Sequence, residues 1–215
     1  MTENKAGNKG FKNLSLDLYA ETTLPTMFGD FLVSVYRDQN GDEGAILISK
    51  GLHVAAEPFI RVHSECFTGE VLGSLKCDCR DQLSLALVEI ERLGLGAVIY
   101  LRQEGRGIGL GNKIKAYHLQ SLGANTVEAN HQLGFETDLR SFDAAALILK
   151  HRGIQSIRIN TNNPAKLKEL EAHGIIIAER VPSLTVMNEH NKDYLKTKML
   201  VLGHHLDTLF TPGKK

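Results

Sequence analysis

Apolar and polar positions change period along this chain, and the changes predict its elements. Phe31–Tyr36, Ala45–Ser49 and Phe59–Val62 are short runs rich in β-branched and aromatic residues, which predicts strands. Leu83, Leu87 and Ile90 recur at helical spacing and predict a helix. Ala97–Leu101 is an unbroken apolar run of strand length, followed by a glycine-rich turn and a helix over about Asn112–Leu122. Phe142–Arg152 predicts a helix stopped by Gly153. Ser156–Asn160 predicts a strand, Pro164–His173 a helix and Ile175–Ile177 a further strand. Strands alternating with helices indicate an α/β fold, a mixed sheet flanked by helices. The strand-rich first third predicts antiparallel or barrel-like pairing beside it.

The polar ends, 1–10 and 207–215, predict flexible tails, leaving 11–206 as one catalytic-sized domain with no internal repeat. Charge is balanced at 25 basic and 25 acidic residues, which favours a small-molecule partner over nucleic acid. No apolar run approaches the ~20 residues of a membrane span. An odd cysteine count and no secretory pattern indicate a cytoplasmic setting.

Cys66, Cys77 and Cys79 are all the cysteines of the chain. A Cys-x-Cys pair suits two thiolates converging on one ion, with a third returning from earlier in the chain. Three ligands leave a tetrahedral zinc one open position for water, as catalytic sites require. The alternative is three small buried side chains with no metal, and spacing alone leaves both readings open.

The turn Gln103-Glu104-Gly105-Arg106-Gly107-Ile108-Gly109 matches neither the dinucleotide fingerprint nor the P-loop. It can still hold an anion, because glycines expose backbone N–H groups and Arg106 adds a fork of donors. A plain turn with a solvated arginine explains it equally. In Asn160–Lys166, Asn163 as N-cap and Pro164 as first helical residue mark a helix start, where Thr161 and Lys166 could hold a ligand or simply accompany a cap. Asp138 and Arg140, two apart, fit an ion pair of the usual surface kind. His131 reads as a structural histidine, and His204 and His205 as facing water.

Six strings occur in register: Arg61–Cys66, Cys77–Cys79, Arg102–Gly109, Asn112–Tyr117, Val127–Gly134 and Thr161–Pro164. Together they closely resemble GTP cyclohydrolase II, from about Leu24 to Leu206. The resemblance implies one zinc on Cys66, Cys77 and Cys79, whose water attacks carbon 8 of guanine and releases formate. It implies magnesium on the phosphates, release of pyrophosphate, a diaminopyrimidine product, entry to riboflavin biosynthesis and a homodimer. Arg61, Val62, His63, Ser64, Glu65, Gln82, Glu104, Gly105, Arg106, Thr126, Thr161 and Lys166 fall on its GTP-contacting positions. Carboxylates among them suit guanine N–H groups and cations suit phosphates. Arg140 falls on the position assigned as nucleophile, Asp138 on its assisting base and Tyr117 on an active-site tyrosine. An arginine is always protonated, so electrostatic stabilisation is the easier role for Arg140. Ser141 and Gly111 depart from the commoner aspartate and leucine. Two rivals remain. A zinc nucleoside deaminase would use His63 as ligand and Glu65 as base, but its Pro-Cys-x-x-Cys signature is absent. A non-catalytic zinc module would need a fourth ligand.

Overall fold

The two-residue period of the apolar runs is realised as a single sheet. In this computed structural model, residues 14–52, 57–183 and 185–206 are described; the tails expected at 1–10 and 207–215 lie outside them. The strands are β1 (Leu16–Thr26), β2 (Gly29–Asp38), β3 (Ala45–Lys50), β4 (Phe59–Ser64), β5 (Gly96–Leu101), β6 (Ser156–Asn160) and β7 (Ile176–Val181), in the order β1-β2-β3-β5-β4-β6-β7. β1, β2, β3 and β5 pair antiparallel, whereas β5, β4, β6 and β7 pair parallel. The barrel-like option is not realised. Ala45 pairs with Leu101, so the antiparallel strands extend the same sheet. β1 escaped prediction because nine of its eleven residues are exposed, and a solvated edge strand has no buried face to impose a period.

The helices are α1 (Phe67–Glu70), α2 (Cys79–Leu93), α3 (Gly109–Ser121), α4 (Thr126–Gln132), α5 (Asp143–His151), α6 (Pro164–Ala172) and α7 (Lys192–Leu200). Among the described residues none is long and apolar enough to cross a membrane. α6 starts where the cap chemistry predicts, with the Asn163 side chain accepting from the Ala165 N–H at 2.9 Å and Pro164 in the first turn. The polar stretch around Glu128–His131 lies in α4. A reciprocal capping box between Asn125 and Glu128 supplies partners that its short length could not.

Alternation along the strands divides the core in two. Ile60, Val62, Ala97, Ile99 and Leu101 pack with Ala145, Ile148 and Leu149 of α5 on one face. Phe59 and Val98 pack with Ala86, Leu87 and Ile90 of α2 on the other. Each such Ile or Leu contributes about 1.5–3 kcal/mol of transfer free energy on burial. Arg61 and His63 follow Phe59 on the α2 face and are polar, and this is how β4 delivers charge to the site. The chain passes from β4 to β5 on one side and returns to β6 on the other. Crevices form beyond the carboxyl ends of parallel strands where the order reverses in this way.

Candidate active site

β4 places Arg61 and His63 on the α2 side, both buried. Arg61 donates to the Asn160 carbonyl at 3.0 Å and to the Gln82 side chain, tying β4 to β6 and α2. Burial pulls its pKa down to about 10, so it stays charged at neutral pH. His63 pairs with Glu70 at 2.7 Å, and the Tyr100 hydroxyl donates to the other Glu70 oxygen at 2.6 Å. Burial lowers the His63 pKa, which favours the neutral ring with Nε2–H donating and Nδ1 left as an acceptor. Arg61 Nε and His63 Nδ1 are buried without a hydrogen-bond partner among the described residues. Buried polar atoms rarely stay unsatisfied, so both are positions a ligand or water would fill. Val62 contributes differently, since its side chain is in the core and its carbonyl accepts from Lys166 Nζ at 2.7 Å.

Cys66 caps α1 and Cys79 opens α2, so two helix starts bring the thiols together. Their Sγ atoms lie within 4.8 Å of one another, with Cys66 and Cys77 at 3.6 Å. Thiol hydrogen bonds from Cys77 and Cys79 hold the Cys66 pKa low, while those same bonds push Cys77 up to about 11 and Cys79 well above the usual thiol value. Thiols packed this closely oppose one another's ionisation, which a bound cation would relieve. A Cβ on Gly69 would stand 2.8 Å from Cys77 Sγ and 3.2 Å from Cys66 Sγ, so glycine keeps this cradle clear. Donor set and cradle both fit a zinc ion. Lys113 Nζ lies 3.1 Å from Cys66 Sγ and 2.8 Å from Glu104 Oε1. Burial opposes its charge, but the thiolate and carboxylate outweigh burial and raise its pKa. The Tyr117 ring faces Lys113 at 5.8 Å and Lys76 at 5.0 Å, and burial holds its phenol protonated.

In the glycine-rich turn, Arg106 adopts φ 61°, a left-handed conformation that a side chain other than glycine enters at a cost of about 1–2 kcal/mol. Both its terminal nitrogens are buried without a hydrogen-bond partner among the described residues. Gly107, at φ 90°, leaves room for Leu139, whose Cβ would stand 3.0 Å from an added Cβ. Leu139 N–H donates to the Arg106 carbonyl at 3.1 Å. The turn therefore clamps the segment carrying Asp138 and Arg140. Arg140 Nε and a terminal nitrogen reach the two Asp138 oxygens at 2.8 and 2.6 Å, and the Arg140 side chain is only 13% exposed. This is a partly buried fork, not the surface pair expected. Glu104 is fully engaged. Its oxygens accept from Lys113, from Gly105 N–H at 2.7 Å and from Phe67 N–H at 2.6 Å. Among the described residues the Glu65 side chain has only Arg102 at 3.9 Å, and of the two it is the carboxylate left for a ligand.

These residues line one cleft of about 570 Å³, a size suited to a small molecule. It gathers Arg61, His63, Ser64, Glu65, the three cysteines, Gln82, Glu104, Gly105, Arg106, Tyr117, Arg140, Thr161 and Lys166. Val62 and Asp138 stand behind it, and Thr126 opens α4 beside the lining residues Ala124 and Asn125. Lys166 is buried and its pKa is pulled well down by that burial and by Arg61 and Arg140. His204 does not face water as expected. It lines the cleft, half-buried, with its pKa lowered to about 3 by burial and then by Lys198, Arg140, Lys166 and Arg106. His205 is exposed as expected. Sequence reasoning also left Lys113, Tyr194 and Lys198 without a role. Lys113 carried a signal within Asn112–Tyr117, whereas α7 carried none.

The fold and site define an α/β protein with a three-thiol centre at a cation-lined cleft. The chain belongs to the GTP cyclohydrolase II family, whose model matches residues 17–182. A GTP cyclohydrolase-2 of Shewanella baltica is 47% identical over 89% of this chain and 94% of its own length. One from Pseudomonas aeruginosa is 48% identical over 91% and 96%. Riboflavin biosynthesis protein RibBA of Bacillus cereus is 50% identical over 87% of this chain, which spans 48% of that longer protein. A solved two-domain 3,4-dihydroxy-2-butanone 4-phosphate synthase, RibBX of A. baumannii, reaches a TM-score of 0.44 at 17% identity over 80% of this chain and 40% of its own, too slight a likeness to bear on fold or function.

Proposed function

We propose that this chain hydrolyses GTP to 2,5-diamino-6-(5-phosphoribosylamino)pyrimidin-4(3H)-one, formate and pyrophosphate, the first step of riboflavin biosynthesis. The observation that carries the reading is the meeting, in one cleft, of three convergent thiols with Arg106, Arg140 and Lys166. Cys66, Cys77 and Cys79 would hold a zinc ion, which when bound would supply a Lewis acid and an activated water for opening the imidazole ring at carbon 8. Tyr117 keeps its proton and offers it as a hydrogen bond for orienting the attack. The Lys113 ammonium beside Cys66 offsets part of the charge of three thiolates, and Glu65 accepts from guanine N–H groups.

At the triphosphate, the unpartnered Arg106 guanidinium and Lys166 bind oxygens, and magnesium arrives with the phosphates. Arg140 is held protonated by Asp138, which outweighs the effect of burial. A permanently charged fork stabilises the phosphoryl transition state instead of attacking it. Asp138, with both oxygens committed to Arg140, orients that fork. The same reading includes a cytoplasmic homodimer.

The deaminase alternative is disfavoured because His63 is bound to Glu70, and the thiol group includes Cys66 with no histidine. A closed structural zinc is disfavoured because no fourth His, Cys, Asp or Glu joins that group among the described residues. Incubation with GTP, zinc and magnesium should yield formate and pyrophosphate together with a new ultraviolet spectrum. Ammonia without formate, or no reaction, would overturn the proposal.

A further inference from the structure

The family match ends at residue 182, yet residues 185–206 fold back over the cleft. Two buried contacts to one carboxylate hold them there. Lys198 of α7 donates to Asp78 Oδ1 at 2.7 Å and the Thr185 hydroxyl to Asp78 Oδ2 at 3.0 Å. Asp78 lies between the two thiols of the Cys-x-Cys pair and also accepts from Gln82 at 2.6 Å. The segment closes at its far end, where His205 N–H donates to the Asn162 carbonyl at 2.9 Å. Lys198, Tyr194 and His204 thereby line the same cleft as Arg106, Arg140 and Lys166.

The charges do not balance. Arg106, Arg140 and Lys198 line the cleft together with His204; Asp138 pairs with Arg140 and Asp78 with Lys198, while both terminal nitrogens of Arg106 have no hydrogen-bond partner among the described residues. Excess positive charge confined in a cleft repels itself, and a multiply charged anion relieves it. An ammonium has three N–H donors, and Asp78 accepts from Lys198 through a single oxygen, Oδ1. Tyr194 presents its ring 4.5 Å from that ammonium and 5.9 Å from the Arg106 guanidinium, so one aromatic face steers both cations.

We propose that Lys198, tethered by Asp78 and flanked by His204, is a further polyphosphate-binding residue, and that segment 185–206 forms a wall of the phosphate site. This rests on the GTP reading above. The tether gives the residue a second consequence. Because Asp78 stands between two metal thiols, one ion pair sets the register between the phosphates and the ring-opening centre.

The test is binding of guanosine 5′-(α,β-methylene)triphosphate and of guanosine to the zinc-loaded protein. Lys198→Gln should weaken the triphosphate analogue about 10- to 100-fold, the loss of one charged hydrogen bond. Guanosine affinity should stay at the wild-type value, and Lys198→Arg should retain most of the analogue affinity. Since Lys198→Gln strands the Asp78 carboxylate, the double variant Asp78→Asn/Lys198→Gln is measured beside it and should show the same selective loss. Equal losses for guanosine and the analogue, or no loss for either, would overturn the proposal. A wild-type protein that binds neither ligand would instead overturn the GTP reading itself.

Discussion

Gly69 is the most exacting position in the thiol centre, and Gly69→Ala isolates its contribution. The substituted residue lies in α1 with no positive φ requirement, so the backbone tolerates alanine and only the added methyl matters. That methyl would sit 2.8 Å from Cys77 Sγ, 3.2 Å from Cys66 Sγ and 3.4 Å from Cys79 Cβ. Restoring an ordinary contact moves Cys77 Sγ by on the order of half an ångström, and overpacking of this kind costs about 1–3 kcal/mol. A metal–sulfur bond of about 2.3 Å does not stretch to absorb such a shift. The cost should therefore appear as a loss of about 10- to 100-fold in zinc affinity, since each 1.4 kcal/mol is tenfold. Competition with a chelating indicator measures the affinity, and the thiolate-to-metal absorption of the cobalt-substituted protein reports coordination directly. In the metal-free protein no metal bond fixes the Cys77 side chain, which can turn away from the methyl, so the thermal midpoint there should change little. Wild-type zinc affinity in Gly69→Ala would refute the claim that the cradle is shaped for a metal.

Three further outcomes follow from the site. Arg140→Lys should lose nearly as much pyrophosphate release as Arg140→Ala, because a point charge cannot reproduce the two-bond fork to Asp138; equal activity of Lys and Arg would remove the geometric argument. Tyr117→Phe should keep its fold and its affinity for GTP while slowing formate release, with mass spectrometry showing whether GTP or a ring-opened formamide accumulates. Wild-type formate release would leave Tyr117 a packing residue. Asp138 has its pKa lowered, Arg140 outweighing burial, so the stability it contributes is complete above the unfolded value of about 3.9 and is lost as pH falls through the lower folded value. Asp138→Asn should accordingly flatten part of the fall in thermal midpoint between pH 5 and pH 3, and identical slopes would show that the pair contributes nothing.

What could be read directly from the residues is what short stretches of chain encode. Buried strands and helices announce themselves by period, because one face must meet the core, and this located β2 to β6, α2, α5 and α6 to within a few residues. The start of α6 was legible because Asn163 and Pro164 act on their own neighbours. The three cysteines were legible because the short stretch Cys66–Cys79 brings them together through two adjoining helix starts, with no distant element required. Elements lacking a buried periodic face were not. β1 lies open at the sheet edge, α4 depends on its cap, and α7 buries little more than Leu195 and Lys198. The charge economy of the cleft was decided by tertiary structure alone. Arg61 meets Asn160 across 99 residues and Lys198 meets Asp78 across 120. No local pattern distinguishes those side chains from solvated ones, and only packing determines that Glu104 is engaged, that Arg106 is left without a partner and that His204 turns inward. Periodicity and spacing act over a few residues of chain, whereas partnership between buried charges depends on which strands the fold sets side by side.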